Sequence, residues 1–320
     1  MAKKPDTVYP NTVYIDAPCK INLHLDIGET RPDGFHELKS LFACLAFSDS
    51  LKIECTGKSG ECLLATDLDP DFGFESMELI SPVDNLVYKA VSLFRRWTGY
   101  NDGLKVTLKK RIPAGAGLGG GSSDAASTLL ALNFLTGNLA SAEELMEMAA
   151  VLGSDVPFFL TGGFAYVSGR GERVQPIAFA EGGFPAGLFI VMVKPPFSIE
   201  TSSAYRLLDQ ARESGTGTNR ETLSKEVLLS SLGEYPGNWP FYNDFMSIDD
   251  NGVLKGVLRD LREAGASFAG LSGTGPCCFG IFDEKETKEA AQETVKRLAR
   301  QGNFARLTFF LANRVNPIVE

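Results

Sequence analysis

The stretch from Pro113 to Ala126, PAGAGLGGGSSDAA, carries the densest chemical signal in the chain. Five glycines fall between Gly115 and Gly121, and without Cβ atoms their backbone N–H groups can approach a ligand closely. An apolar helical pattern opens at Ser122, so the positive end of a helix dipole points at the same place. A plain turn needs one or two glycines rather than five before a helix, and the combination reads as a phosphate cradle. Ser122 and Ser123 would meet phosphate or, at Ser123, a metal ion, although a serine pair at a helix start also serves as a cap. Asp124 is expected only to complement the helix dipole.

Gly115, Gly117 and Gly120 also match the GxGxxG spacing of a dinucleotide site, so an NAD-dependent oxidoreductase competes with the cradle reading. That chemistry wants a carboxylate about 20 residues on, ending a second strand, and Asn133 to Ala142 contains none. The P-loop pattern fails as well. Ser122, not lysine, follows the last glycine, so a cation for the phosphates must come from elsewhere.

Other residues could do chemistry. In KINLHLDI, Lys20, Asn22, His24 and Asp26 alternate with Ile21, Leu23, Leu25 and Ile27, which predicts a strand with one wet face. Lys20 alone would be a snorkelling surface lysine, but beside Asn22 and His24 it suits a strand lining a site. Asp155 follows Gly153 and precedes Pro157 on a short constrained turn, where it serves equally well as a helix cap. A late glycine-rich loop, Gly270 to Gly280, admits either a close approach to a diphosphate or a tight turn.

Around these lie the elements that must position them. Leu104 to Leu108 alternates as a strand and leads into the first glycine loop; the helix after the loop stops at Gly137. A second helix opens on a capping box, Ser141 with Glu144, presents Leu145, Met148, Ala149 and Leu152, and closes at Gly153. Strands are predicted over Leu38 to Phe47 and Leu51 to Cys55, joined by a Ser48-Asp49-Ser50 turn, and again over Gly163 to Val167 and Leu188 to Val193. Gly57 to Pro82 reads as an excursion and Glu213 to Arg220 as a surface loop. Beyond Gly182 come a strand, a helix, an irregular stretch, a helix with Leu254, Val257, Leu258 and Leu261, a Gly-rich strand, a helix and a strand. This order suits a second α+β unit, with the boundary near residue 180.

Composition narrows the classes. With 320 residues, 44% hydrophobic and 22% charged, the chain is an ordinary globular one, long enough for about two domains. Its net charge of -9 disfavours a general nucleic-acid or anionic-membrane binder. No apolar run approaches the roughly 20 residues of a membrane span, and Met1 to Pro10 lacks the apolar core of a secretory signal, so cytoplasm is the expected location. Six cysteines without a CxxC pair, and two histidines, give no zinc framework; the thiols are expected to be reduced and structural.

The glycine block, the lysine-bearing strand APCKINL and the late SGTGP loop, Ser272 to Pro276, together resemble the GHMP kinases, the superfamily of galactokinase, homoserine kinase and mevalonate kinase. Four further stretches, RPDGFHEL (31–38), DNLV (84–87), GSDVPFFL (153–160) and FYND (241–244), resemble one branch of it in the non-mevalonate isoprenoid pathway. That branch moves the γ-phosphate of ATP, with Mg2+ and no covalent intermediate, to the 2-hydroxyl of a cytidylyl-linked methylerythritol.

The resemblance implies a two-domain α+β fold, an N-terminal ATP-binding domain over 1–180 and a C-terminal ferredoxin-like domain over 181–320, with the reaction in the cleft between them. It implies that Asp155 accepts the alcohol's proton while Lys20 balances charge. Pro113, Gly115, Gly117, Leu118, Gly119, Gly120, Gly121, Ser122 and Ser123 would hold ATP, and Asn85 would read adenine unless it is a plain cap. Asn22, Gly273, Thr274 and Gly275 would meet substrate. Phe35 and Phe241 would sandwich the cytosine and His36 would hydrogen-bond it; many relatives carry Tyr at the position of Phe35. The partner expected is this small molecule, with no nucleic acid and no membrane, and the oligomeric state is left open. Another GHMP kinase, a non-catalytic nucleotide-binding relative and the oxidoreductase remain as alternatives.

Overall fold

The computed structural model describes residues 10–69, 83–179, 186–215, 220–249, 251–283, 285 and 287–319. The N-terminal stretch up to residue 9, the later part of the 57–82 excursion, the boundary near 180 and residues 216–219 of the 213–220 loop lie outside the described residues.

Alternating apolar residues build β1 (Thr12–Thr30), and a turn at Gly34 returns the chain antiparallel into β2 (His36–Cys55). The expected Ser48-Asp49-Ser50 turn is not there, because β2 runs straight through it. Asp49 is fully buried and accepts hydrogen bonds from the backbone N–H groups of Arg111 and Ile112, while a register shift opposite, at Pro18/Cys19, absorbs the irregularity. The second edge of β2 is shared. Its first half pairs with β5 (Phe164–Gly169) and its second half with β4 (Leu104–Lys110).

The excursion contains β3 (Cys62–Leu68), parallel to β4, and α1 (Leu86–Thr98) carries the chain between them. With β6 (Arg173–Ile177) the first sheet runs β3-β4-β2-β5-β6, and β1 lies on β2. Helices α1, α2 (Gly120–Leu135), α3 (Ala142–Leu152) and α4 (Val156–Thr161) bury Phe94, Leu129, Met148 and Phe158 against one face. The capping box Ser141/Glu144 forms as expected, and α2, apolar on nearly every face, is the buried central helix.

The second unit contains β7 (Leu188–Lys194), α5 (Thr201–Glu213), α6 (Lys225–Leu232), α7 (Val253–Glu263), β8 (Phe268–Leu271), β9 (Cys278–Asp283), α8 (Lys288–Arg300) and β10 (Phe304–Phe309). Helix α6 lies in the stretch expected to be irregular. The strands order as β10-β7-β9-β8, all antiparallel. Counted from β7 this is 4-1-3-2 with βαββαβ connectivity, the ferredoxin-like arrangement.

Ile21, Tyr166, Ile190 and Phe279 form an apolar cluster between the two sheets. After β10 the chain returns to the first sheet: Leu311 N–H donates to Cys44 O, and Tyr14 and Ile318 exchange backbone hydrogen bonds of 2.9 Å. Cys19, Cys44, Cys277 and Cys278 are buried, and burial pushes all four thiols up, Cys44 and Cys277 to about 12. They behave as small hydrophobes.

Candidate active site

Strand β4 delivers the chain into the glycine loop, and α2 starts at Gly120, two residues before the expected serine. Gly119, at φ 70°, occupies the N-cap, and no side chain caps the helix. The expected Ser or Asp cap is therefore absent, since a left-handed Gly119 lets the backbone alone make the entry, and the first N–H groups of α2 stay open to the cavity. Gly115 and Gly117 also have positive φ, at 59° and 75°.

The late loop docks on this one. Ser272 Oγ donates to Gly117 O at 2.8 Å, and a Cβ on Gly117 would lie 2.1 Å from Ser272 O. Because that contact is backbone against backbone, Gly117→Ala must push the loops apart as well as adopt a left-handed φ. It should cost about 1–3 kcal/mol in a denaturant titration, as overpacking does. Unchanged stability would show that the loops do not interlock.

Both loops border a cavity of about 490 Å³, and β1 supplies its polar wall. Lys20, only 3% exposed, directs Nζ to Asn22 Oδ1 at 2.7 Å and to Asp155 Oδ2 at 3.6 Å. Asn22 Oδ1 also accepts from Gly273 N at 2.8 Å, so one side chain joins the lysine to the late loop. The Lys20 backbone N–H donates to Leu118 O at 3.0 Å, tying β1 to the first loop. Asp155 stands at the N-cap of α4 in αR geometry and makes no capping hydrogen bond, which leaves its carboxylate free to face the cavity. The face expected to be wet is in fact buried, because the second unit closes over it. A bulge between Asn22 and His24 moves His24 to the opposite side, where Tyr242 N donates to its Nδ1. Burial, aided by the charge of Lys39, lowers its pKa to about 3, so His24 is neutral.

Beneath the glycine loop lies a buried charge cluster that the spacing arguments did not anticipate. Lys110 bridges Asp49 and Asp124, the latter at 2.6 Å. Burial pushes the Asp124 carboxyl up to about 8, with Asp49 adding to the rise and Lys110 offsetting part of it. Burial would lower Lys110, but the two carboxylates outweigh it and its pKa is raised. A signal was available. Lys110 continues the inward register of Leu104, Val106 and Leu108, so a charge falls where an apolar residue belongs.

Comparison with known proteins places this geometry. The model for the GHMP kinases N terminal domain matches residues 85–163, and that for the GHMP kinases C terminal domain matches 251–301. A 4-diphosphocytidyl-2-C-methyl-D-erythritol kinase of Thermodesulfovibrio yellowstonii is 36% identical over 277 residues, which cover 85% of this chain and 90% of that one. The chain belongs to the 4-diphosphocytidyl-2-C-methyl-D-erythritol kinase family. A chloroplastic relative with the same name from Oryza sativa is 39% identical over 220 residues, 68% of this chain and 51% of that longer protein. A crystal structure of 4-(cytidine 5'-diphospho)-2C-methyl-D-erythritol kinase superposes with a TM-score of 0.69 at 31% identity, covering 93% of this chain and 98% of that one.

Against that family, the dinucleotide alternative falls. The sheet behind the glycine loop is mainly antiparallel, and β4 is parallel only to β3. Pro113, the glycines from 115 to 121, Leu118, Ser122, Asn85, Gly273 and Thr274 line the cavity with Lys20, Asn22 and Asp155. Asn85 is also the N-cap of α1, its Oδ1 accepting from Val87 N at 2.9 Å, so the cap is real and its amide nitrogen remains for a ligand. Gly275 stands behind the cavity wall, against Leu271 and Ile199.

The cytosine sandwich does not assemble as expected. Phe35 is 48% exposed, with the Arg170 guanidinium over its ring at 5.2 Å. His36 is buried, holding Asp209 Oδ1 through Nε2 at 2.9 Å. Phe241 is on the other side of β1, packed on Trp239 at 5.0 Å, because the FYND segment turns its ring into the inter-sheet core. The ring that does stack on His36, at 5.0 Å and 30°, is Tyr205 of α5, which also lines the cavity. Burial pushes its hydroxyl up to about 12, with the charge of Asp155 contributing. Tyr205 sits one position beyond Ala204 of the buried Ala204/Leu208 stripe, a placement that helical periodicity shows only once the face of α5 is known.

Among the described residues no three acidic, His or Cys side chains gather as a metal cage. Ser122 lines the cavity; Ser123 does not, being fully buried, and its Oγ has no partner among the described residues. These oxygens fit Mg2+ only as an ion that shares its ligands with phosphate.

Proposed function

We propose that this chain transfers the γ-phosphate of ATP to the 2-hydroxyl of 4-(cytidine 5'-diphospho)-2-C-methyl-D-erythritol. The observation that carries the reading is the meeting of Lys20 and Asp155 with two interlocked glycine loops in one cavity. When bound, ATP with Mg2+ supplies the transferable phosphoryl group and neutralises part of its charge.

The chain's own residues do the rest. Uncapped N–H groups at the start of α2 and along Gly115 to Gly121 hold phosphate oxygens, and Ser122 and Ser123 offer hydroxyls to the ion. Asp155 takes the alcohol's proton as the oxygen attacks, and Lys20, held by Asn22, offsets the developing negative charge. Asn85 meets the adenine through its free amide nitrogen. Asn22, Gly273 and Thr274 border the acceptor. For the cytosine, Phe35 and Tyr205 provide aromatic faces worth roughly 1–3 kcal/mol of stacking, and His36, oriented by Asp209, hydrogen-bonds the ring edge.

Coupled ADP release tests this with the cytidylyl compound beside mevalonate, homoserine and galactose. Turnover of the cytidylyl compound alone is expected. Turnover of mevalonate instead would keep the superfamily and discard the substrate, while absence of ADP with every acceptor would leave a binding protein.

A further inference from the structure

A second cavity, of about 420 Å³, opens on the far side of the late glycine loop, between β8, α7 and the 241–247 segment. Among the described residues it shares no lining residue with the main cavity, and Asn243 stands in the wall between them, donating through Nδ2 to Leu271 O and Gly273 O at 2.8 Å.

Three cations face this space in a chain whose net charge is -9: Arg220, Lys255 and Arg262. None of them pairs with a carboxylate within salt-bridge distance among the described residues. Lys255 Nζ holds only Asp249 O at 3.1 Å, Arg262 Nη2 only Ala269 O at 3.2 Å, and the Arg220 guanidinium lies over the Tyr242 ring at 5.2 Å. Asp244, the one acid among the described lining residues, is held by Arg212 at 3.0 Å and by the Ile27 N–H at 2.9 Å, and it also feels the charge of Arg220, which leaves Lys255 and Arg262 as the cations furthest from compensation. The floor is apolar, built from Leu23, Phe241, Leu258 and Phe268.

Cations with no described carboxylate in salt-bridge distance, set above an apolar floor, select an anion that carries a hydrophobic body. We propose that this cavity binds an organic phosphate, a monoester or diphosphate with an apolar tail, at a site separate from the one that performs phosphoryl transfer. The head is held by Arg220, Lys255 and Arg262, and the tail lies on Phe241 and Phe268. The proposal does not depend on which acceptor the kinase uses.

Isothermal titration of the full chain with hexyl phosphate tests it, in the presence of a saturating non-hydrolysable ATP analogue that fills the main cavity. One hexyl phosphate per chain is expected, bound at least about tenfold more tightly than inorganic phosphate or 1-hexanol, since each half of the site should add about that factor. Lys255→Glu combined with Arg262→Glu should weaken it at least about tenfold while ADP release is unchanged. Lys255→Ala, a single exposed change, provides the same comparison with less risk to folding. Loss of hexyl phosphate binding when the ATP analogue is added, equal binding by the variants, or no binding at all would each overturn the assignment.

Discussion

Asp155→Asn should lower kcat by at least about a hundredfold and leave KM for both substrates within a few-fold of the native value. The asymmetry follows from what the side chain does in the structure. Asp155 sits at a helix N-cap but makes no capping bond, and a third of its side chain is exposed, so α4 does not depend on its charge. The amide keeps the size of the carboxylate and removes its basicity, which matters only when a proton leaves the attacking hydroxyl. Lys20 keeps Asn22 as a partner at 2.7 Å and should stay in place. Steady-state kinetics with thermal melting of both proteins checks this. A near-native kcat, or a fall in kcat matched by loss of folding, would remove Asp155 from proton transfer.

Lys110→Met should cost about 3–5 kcal/mol of folding stability, the usual consequence of stranding a buried charge. The substitution leaves Asp49 and Asp124 facing one another without their common cation. Asp49 cannot turn away, because the N–H groups of Arg111 and Ile112 are bound to it where β4 enters the glycine loop. The damage should therefore reach the loop as well as the core. The pH dependence has a definite sign. Asp124 is held up at about 8 against an ordinary value of 3.8, so its protonated form stabilises the fold at low pH, and that contribution is lost as pH rises through about 8. Without Lys110 the two carboxylates repel unscreened, and the deficit of the variant should widen between pH 6 and pH 9. Denaturant titrations at both values measure it; a deficit below about 1 kcal/mol, or one that narrows with pH, would contradict the role given to the cluster.

The parts of the site that lie close together in sequence were legible there. Glycine density before a helix, the capping box at Ser141 and the alternation around Lys20 are local signals with local physical causes, and each corresponds to an element in place. The parts that close through space were not. Asp49, Lys110 and Asp124 come from a strand, a second strand and a helix start, and only the odd register of Lys110 hinted at them. The Ser48-Asp49-Ser50 turn failed for the same reason: a polar triplet has turn chemistry in isolation, but this aspartate is spent on a neighbouring strand end. Phe241 and Tyr205 show how a short motif can name the wrong ring. Both are aromatic and both approach β1, yet the bulge at Leu23 puts them on opposite sides of it, and a bulge leaves little trace in a pattern of alternation.

A structure of the chain with a non-hydrolysable ATP analogue and the cytidylyl-methylerythritol tests the central claim most directly. The reacting 2-hydroxyl should lie within about 2.6–3.2 Å of the Asp155 carboxylate, with the triphosphate lying along Gly115 to Gly121 and its terminal phosphate toward Lys20. A hydroxyl held by a different base, or a triphosphate bound away from the glycine loops, would contradict the account.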